Sequence, residues 1–330
     1  MKNPSSIAVI IPTYNHPDQL IRSVTSLQKQ VLTDMQVVVV DNSDHHLLED
    51  KIKTFNRSAK YKVTCLHEPR LGLHYARHAG ARYATADILV FTDDDATFDP
   101  RWLNAYANAF DEHPEMMAAG GPVRPIWETP PPDWLIEFIG DAKMFPILSL
   151  MEPYQKFHLD SKGFFFGVNM AIRRHVLFNI GGFNPELIGN ITVGDGESGL
   201  NRKLQEKGFL IGYAPDAIVY HHIPQGRMTV EYIRKWAWHL GGANMYRKLH
   251  GRLQSKIGLL NEFFKIVAKR CALWLSLPFV WNRTDRLSLR IQLRACEAWC
   301  AINYLWWVNR NPQLKKYLIQ NNFLSEQDDS

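Results

Sequence analysis

Four short apolar runs punctuate the N-terminal part of the chain: Ile7–Ile11, Met35–Val40, Lys62–Leu66 and Asp87–Phe91. Each is rich in β-branched residues, bounded by turn formers and without polar alternation, which predicts strands buried on both faces. Helical patterns lie between them. After Asn15-His16-Pro17, the residues Leu20, Val24 and Leu27 recur on one helical face, and Leu73–Ala84 is Ala-rich. This alternation predicts an α/β domain with a Rossmann-like, mostly parallel sheet flanked by helices.

In such sheets ligands sit beyond the carboxyl ends of the strands. The residues there are polar: Pro12-Thr13-Tyr14-Asn15 after the first run, Asp41-Asn42-Ser43-Asp44 after the second, and Thr92-Asp93-Asp94-Asp95 after the fourth. Further on, residues 120–162 are rich in Pro and Trp and read as an irregular connection lining or covering a pocket. Phe164–Ile172 reads as an extended run, Glu197–Lys207 as a helix, and short strands continue to Tyr220. Beyond Thr229 the pattern is mostly helical. The expected division is therefore a catalytic domain over 1–228, with halves of about 1–120 and 121–228, followed by a helical region over 229–330.

The acidic turn carries the chemistry. Three adjacent carboxylates follow a strand directly, and Asp99-Pro100 then looks like a helix start. Close carboxylates repel by about 4 kcal/mol per pair at an effective dielectric near 20, so clustering them calls for a cation. Mg2+ or Mn2+, which takes one or two carboxylates together with phosphate oxygens, is the natural one. A solvated acidic turn is the plainer alternative.

The motifs, in order, resemble the family 2 glycosyltransferases of the GT-A fold over roughly residues 5–225. They are Ile11-Pro12-Thr13-Tyr14-Asn15, Val38-Val39-Val40-Asp41-Asn42-Ser43, Leu71-Gly72 with Ala76-Arg77 and Gly80, Leu89 to Asp95, Gly167-Val168-Asn169, Gly181-Gly182-Phe183, and the acidic helix start near Glu197. The resemblance implies an inverting, metal-dependent transfer of a sugar from a nucleotide diphosphate donor, a UDP-sugar, to a saccharide or lipid-linked saccharide in polysaccharide or glycoconjugate synthesis. It also implies that Asp41 contacts the nucleobase, that Pro12, Tyr14 and Asn15 shape the base pocket, that Asp93 and Asp94 lie near the ribose, and that Asp95 binds the metal together with Asp93 and His221.

Other assignments stay open at this level. Arg77 is a donor-binding cation or a surface charge, and Asn169 is a sugar contact or a satisfied core amide. Arg227 is a charge partner for the leaving diphosphate. The catalytic base is Glu197 or Asp195, because Gly196 departs from the family's Glu-Asp pair. That departure leaves room for a nucleotide-sugar binder that has lost catalysis, or for a membrane-associated assembly protein.

Composition adds location and partners. The four cysteines, Cys65, Cys271, Cys296 and Cys300, have no metal-ligand spacing and suit a reducing compartment. Ile7–Ile11 is too short for a secretory core, so a cytoplasmic protein is expected. The net charge of +5 is mild, but residues 247–294 hold eleven Lys or Arg against Glu262 and Asp285. Cys271–Trp281 and Ala295–Val308 are too short and too flanked by charge to span a bilayer. They read either as helices lying on an anionic membrane surface, on the inner face, or as a subdomain packing on the core or a second subunit. No nucleic-acid partner is expected. The tail after Leu324 reads as frayed.

Overall fold

A computed structural model describes residues 6–32, 34–43, 47–188, 191–251 and 256–324; Asp44 and the tail after Leu324 lie outside the described residues. The chain opens with β1 (Ile7–Thr13), α1 (Pro17–Leu27), β2 (Met35–Asp41), α2 (Leu47–Ser58), β3 (Val63–His67), α3 (Leu73–Tyr83) and β4 (Ile88–Phe91). β1 pairs in parallel with β2 and β4, and β2 with β3. Alternate residues explain why both faces are apolar. Ile7, Val9 and Ile11 pack with Leu20, Val24 and Leu27 of α1, whereas Ala8 and Ile10 pack with Ala81 of α3 on the other face. The expected parallel, doubly flanked sheet is present. α2 was not legible: its sequence is largely polar, with Leu48 and Ile52 buried.

Next come β5 (Ala96–Phe98), α4 (Trp102–Glu112), β6 (Met116–Gly120), β7 (Val123–Trp127), α5 (Asp133–Ile139), β8 (Met144–Phe145), β9 (Leu150–Met151) and β10 (His158–Asp160). They are followed by β11 (Met170–Arg173), α6 (Arg174–Asn179), a ribbon of β12 (Leu187–Ile188) and β13 (Ile191–Thr192), α7 (Gly196–Glu206), β14 (Leu210–Tyr213) and β15 (Val219–Ile223). The main sheet has the order β10-β14-β6-β11-β4-β1-β2-β3, and a second sheet has β5-β15-β7-β9-β8. β11 runs antiparallel to β4 and β6.

Three expectations are corrected here. Residues 120–162 are not an irregular connection but supply three strands of the second sheet and one of the first; strands of two to five residues leave no readable period. Asp99 does not start a helix, since its carboxylate accepts the Arg101 N–H at 2.9 Å in a turn and the helix begins at Trp102. His221 and His222 do not follow a strand but lie inside β15.

Asn169 knits these parts together. Its Nδ2 donates to the carbonyls of Pro122 (2.9 Å) and Ala217 (2.8 Å), and its Oδ1 accepts from Trp102 Nε1 (2.9 Å) and Tyr106 OH (2.6 Å). With no exposure and all its hydrogen-bonding capacity used within the core, it is a core amide and not the sugar contact set out above.

Behind β15, Thr229 caps α8 (Val230–Leu249) through its hydroxyl, and α9 (Lys256–Val280), α10 (Arg286–Arg310) and α11 (Pro312–Ile319) follow. Tyr246 and Leu249 of α8, Tyr304 and Leu305 of α10, and Val193 from the loop before α7 share one core. α8 and α10 approach so closely at Gly241 that a Cβ there would collide with the Glu297 carbonyl. The two apolar C-terminal stretches thus separate: Ala295–Val308 is packed against α8, while Cys271–Trp281 is not covered in the same way.

Asn169→Ala strands two carbonyls and two donors in the core. It should lower unfolding free energy by about 3–5 kcal/mol in urea melts; a change under about 1 kcal/mol would contradict the structural role.

Candidate active site

The register between two strands of the second sheet builds the site. In the antiparallel pair β5–β15, His221 stands opposite Ala96, the residue after the acidic turn, and the Asp95 carbonyl accepts the His222 N–H at 2.9 Å. His221 Nε2 therefore sits 3.4 Å from Asp95 Oδ1, while Arg227, one turn beyond the strand, places Nη2 2.8 Å from Asp95 Oδ2 and Nη1 2.9 Å from His221 Nε2. His221 Nδ1 lies 2.9 Å from the Leu148 carbonyl, which can only accept, so the proton of a neutral ring is fixed on Nδ1 and the Nε2 lone pair accepts the Arg227 N–H. Burial raises the Asp95 pKa, but His221, in its protonated form, and the Arg227 guanidinium outweigh it and the carboxyl stays below its ordinary range.

Its neighbours are handled differently. Asp94 Oδ2 accepts the Thr13 hydroxyl at 2.6 Å, with His16 Nδ1 at 3.6 Å. Burial, reinforced by Asp95 and Asp93 and only partly offset by Thr13 and His16, still pushes Asp94 up to about 6. Asp93 faces Arg77, whose Nη2 lies 3.3 Å from Asp93 Oδ1 and whose Nη1 lies 3.8 Å from Glu197 Oε2. The Arg77 side chain is only 3% exposed, so it is an internal cation and not a surface charge. Gly167 makes room for this pairing, because a Cβ there would collide with both Arg77 and Glu197.

A cavity of about 570 Å3 opens over this turn, lined by Pro12, Tyr14, Leu71, Asp93–Asp95, Glu186 and Arg227 among others. Of the expected residues, the fold brings Pro12, Tyr14, Asp93, Asp94, Asp95 and Arg227 to its wall, with His221 and Arg77 directly behind. Asn15 is not on the wall; it turns the chain with a φ of 58°, a left-handed conformation that Asn tolerates. Asp41 is not on the wall either. It is buried, and its Oδ1 accepts both the N–H and the hydroxyl of Ser43. Asn42 beside it lines the cavity and ties the end of β2 to the Glu68 and Arg70 carbonyls and the Gly72 N–H. A second cavity of about 530 Å3 lies over β7, β8 and β9, lined by residues such as Trp127, Phe145 and Met151; its Glu152 is paired with Arg124.

At the start of α7 the two expected bases part. Asp195 is spent on structure, accepting from Asn184 Nδ2 at 2.6 Å and from Arg202 Nη2 at 3.0 Å, with 3% of its side chain exposed. Glu197 remains in the site, its pKa pushed to about 8 by burial, lowered by Arg77 and raised again by Glu186 and Asp93. Glu186 was missed by the sequence reading, although it lies three residues past the Gly181-Gly182-Phe183 turn. It reaches the cavity wall by lying over Gly196, where φ is +47° and any side chain would collide with the Glu186 carboxylate.

The residues fit a divalent cation at one place. Asp95 Oδ1 is buried with no hydrogen-bond donor, and His221 Nε2, which an ion would take over from the Arg227 N–H, lies 3.4 Å from it. A carboxylate oxygen and a neutral imidazole are both metal-ligand types. Asp93, expected as a further ligand, is turned to Arg77 instead.

The model for the family described as "Glycosyl transferase family 2" matches residues 8–181. Glucosyl-dolichyl phosphate glucuronosyltransferase of Haloferax volcanii is 24% identical over 180 residues, 54% of this chain and 56% of that protein. Succinoglycan biosynthesis protein ExoM of Rhizobium meliloti is 22% identical over 254 residues, 76% of this chain and 78% of ExoM. Among solved structures, a mannosyltransferase from Pyrobaculum calidifontis in complex with GDP-Man and Mn2+ superposes with a TM-score of 0.58 at 20% identity, covering 92% of this chain and 88% of that one. These likenesses establish a GT-A-like fold. The chain spans about half the length of the first curated relatives it matches.

Glu197 keeps its proton to about 8 in the folded protein, whereas the unfolded chain releases it near 4.5. Its contribution to stability is complete below the lower value and is lost as pH rises through the upper one. Relative to Glu197→Gln, the native protein should therefore lose on the order of 2 kcal/mol between roughly pH 5 and pH 9. Urea melts at both pH values read this out, and a pH-independent difference would mean that the group titrates normally.

Proposed function

The chain belongs to glycosyl transferase family 2, and on that premise we propose that it transfers a sugar from a nucleotide diphosphate donor, a UDP-sugar, to a hydroxyl of a saccharide or lipid-linked saccharide during polysaccharide or glycoconjugate synthesis. One observation carries this reading: the acidic turn at the end of β4, in direct contact with His221 and Arg227, forms one side of a cavity walled on another by Pro12, Tyr14 and Leu71. A flat base suits the apolar wall, and a diphosphate suits the charged floor.

Asp95 and His221 would hold Mn2+ or Mg2+, and the bound ion would offset the negative charge of the departing diphosphate. Arg227, already in contact with both residues, adds a guanidinium suited to phosphate oxygens. Arg77 holds Asp93 and Glu197 apart from each other's charge. Glu197, once ionised, takes the proton of the acceptor hydroxyl as the sugar carbon is attacked from the face opposite the leaving group, giving inversion; its raised pKa makes the ionised form a stronger base and favours turnover on the alkaline side of neutral. Glu186 stands beside it on the cavity wall, so the site keeps a second carboxylate despite the glycine at 196.

UDP with Mn2+ should raise the melting temperature by about 2–4 °C at saturating ligand, more than UDP alone. Asp95→Asn should lose the metal-dependent part, and an unchanged shift would remove Asp95 from the metal site. Across a panel of UDP-sugars, Glu197→Gln should cut UDP release about a hundredfold or more while the Mn2+–UDP shift persists. Loss of turnover in Glu186→Gln with Glu197→Gln still active would move the base role to Glu186.

A further inference from the structure

α9 carries an apolar stripe that nothing among the described residues covers. Leu260, Phe264, Ala268, Cys271, Leu275 and Phe279 are all exposed, with Leu275 at 76% and Phe279 at 78%. At 3.6 residues per turn these positions fall within an arc of about 100°, and the stripe runs about 29 Å along the helix. The inner side of α9 is the packed one, since Leu259, Phe263 and Ile266 join the core shared with α8 and α10. The neighbouring α10 adds two exposed indoles, Trp299, which meets Trp274 edge-on at 6.1 Å, and Trp306, which shares a shallow groove with Leu260. A continuous apolar face of this length on a soluble surface marks a contact site.

The surrounding charge selects the occupant. Between residues 258 and 294 the chain has seven Lys or Arg and two acids, Glu262 and Asp285. Both acids are already engaged, Glu262 by Lys248 and Lys265 and Asp285 by Arg283. Lys265 and Lys269 of α9, and Arg283 just past its end, are exposed beside the stripe. A two-fold contact with a second copy would press this basic face against itself. No helix among the described residues is long and apolar enough to cross a membrane, so an inserted span does not explain the stripe. An apolar face bordered by lysine, arginine and tryptophan matches a helix resting at the headgroup boundary of an anionic bilayer.

We propose that the outward face of α9, with Trp299 and Trp306 of α10, docks on an anionic lipid surface. Phe264, Leu275 and Phe279 enter the acyl boundary, and the flanking cations meet lipid phosphates. This brings the catalytic domain to a membrane, and it stands whether or not the transfer chemistry above is correct.

The test is cosedimentation of the full chain with vesicles of phosphatidylcholine and phosphatidylglycerol in equal parts, against pure phosphatidylcholine vesicles. The native protein should pellet with the first, release in high salt and stay in solution with the second. Leu275→Ser combined with Phe279→Ser should weaken binding at least about tenfold, as two lost apolar burials require. Because both side chains are exposed, its circular dichroism melt should match the native one. Should that melt shift instead, Lys265→Glu with Lys269→Glu provides an independent variant, expected to lose about tenfold on the anionic vesicles. Failure of the native protein to pellet, equal binding to both vesicle types, or undiminished binding by these variants would overturn the proposal. So would a lipid-free dimer, seen by analytical ultracentrifugation, that the Leu275–Phe279 variant dissolves.

Discussion

The site is governed by one electrostatic constraint: four carboxyl groups, on Asp93, Asp94, Asp95 and Glu186, line one cavity, a fifth on Glu197 lies behind it against Arg77, and two guanidiniums, those of Arg77 and Arg227, are near them. Each close pair of ionised acids would cost several kcal/mol at this depth. The protein meets this in three ways. Arg77 is shared between Asp93 and Glu197, Arg227 is held on Asp95, and Asp94 and Glu197 keep protons at pH values where isolated acids would have released them. What remains is an excess of acceptors at Asp95, the place most receptive to further positive charge.

Backbone geometry delivers these groups. Parallel strands bring Thr13, Asn42 and the acidic turn to one edge of the main sheet, and the second sheet returns His221 to the same place because β15 pairs with β5 at that register. Asn169 links the Pro122 and Ala217 carbonyls to the aromatic side chains of α4, so the two sheets hold a common reference point beneath the cavity. His221 is in turn steadied by the Leu148 carbonyl, which ties the Pro- and Trp-rich segment directly to the chemistry.

How much of this was legible follows the range of the interactions involved. β1 to β4 could be read because strands covered on both faces are continuous apolar runs, and the polar rim could be read because it follows each run directly. The acidic turn came from ordered motifs, His221 from what the resemblance they carry implies, and Arg227 from its charge beside the same strand. What escaped was set by distant contacts. The second sheet is made of strands too short to show a period, α2 is mostly polar, and whether Asn169 faced a ligand or the core depended on Trp102, Tyr106, Pro122 and Ala217 lying around it. Asp41 and Asp195 have the residue type of site acids, yet local partners, Ser43 for one and Asn184 with Arg202 for the other, occupy them.

The meeting of Glu186 with Gly196 changes how this kind of site is found. Residues ten apart in sequence occupy a single volume, so they behave as one position with two possible addresses: a carboxylate arrives from the preceding loop only where the helix start leaves its own place empty. A pattern demanding two acids side by side passes over such a chain, whereas one that counts carboxylates reaching the cavity, from whichever segment, retains it.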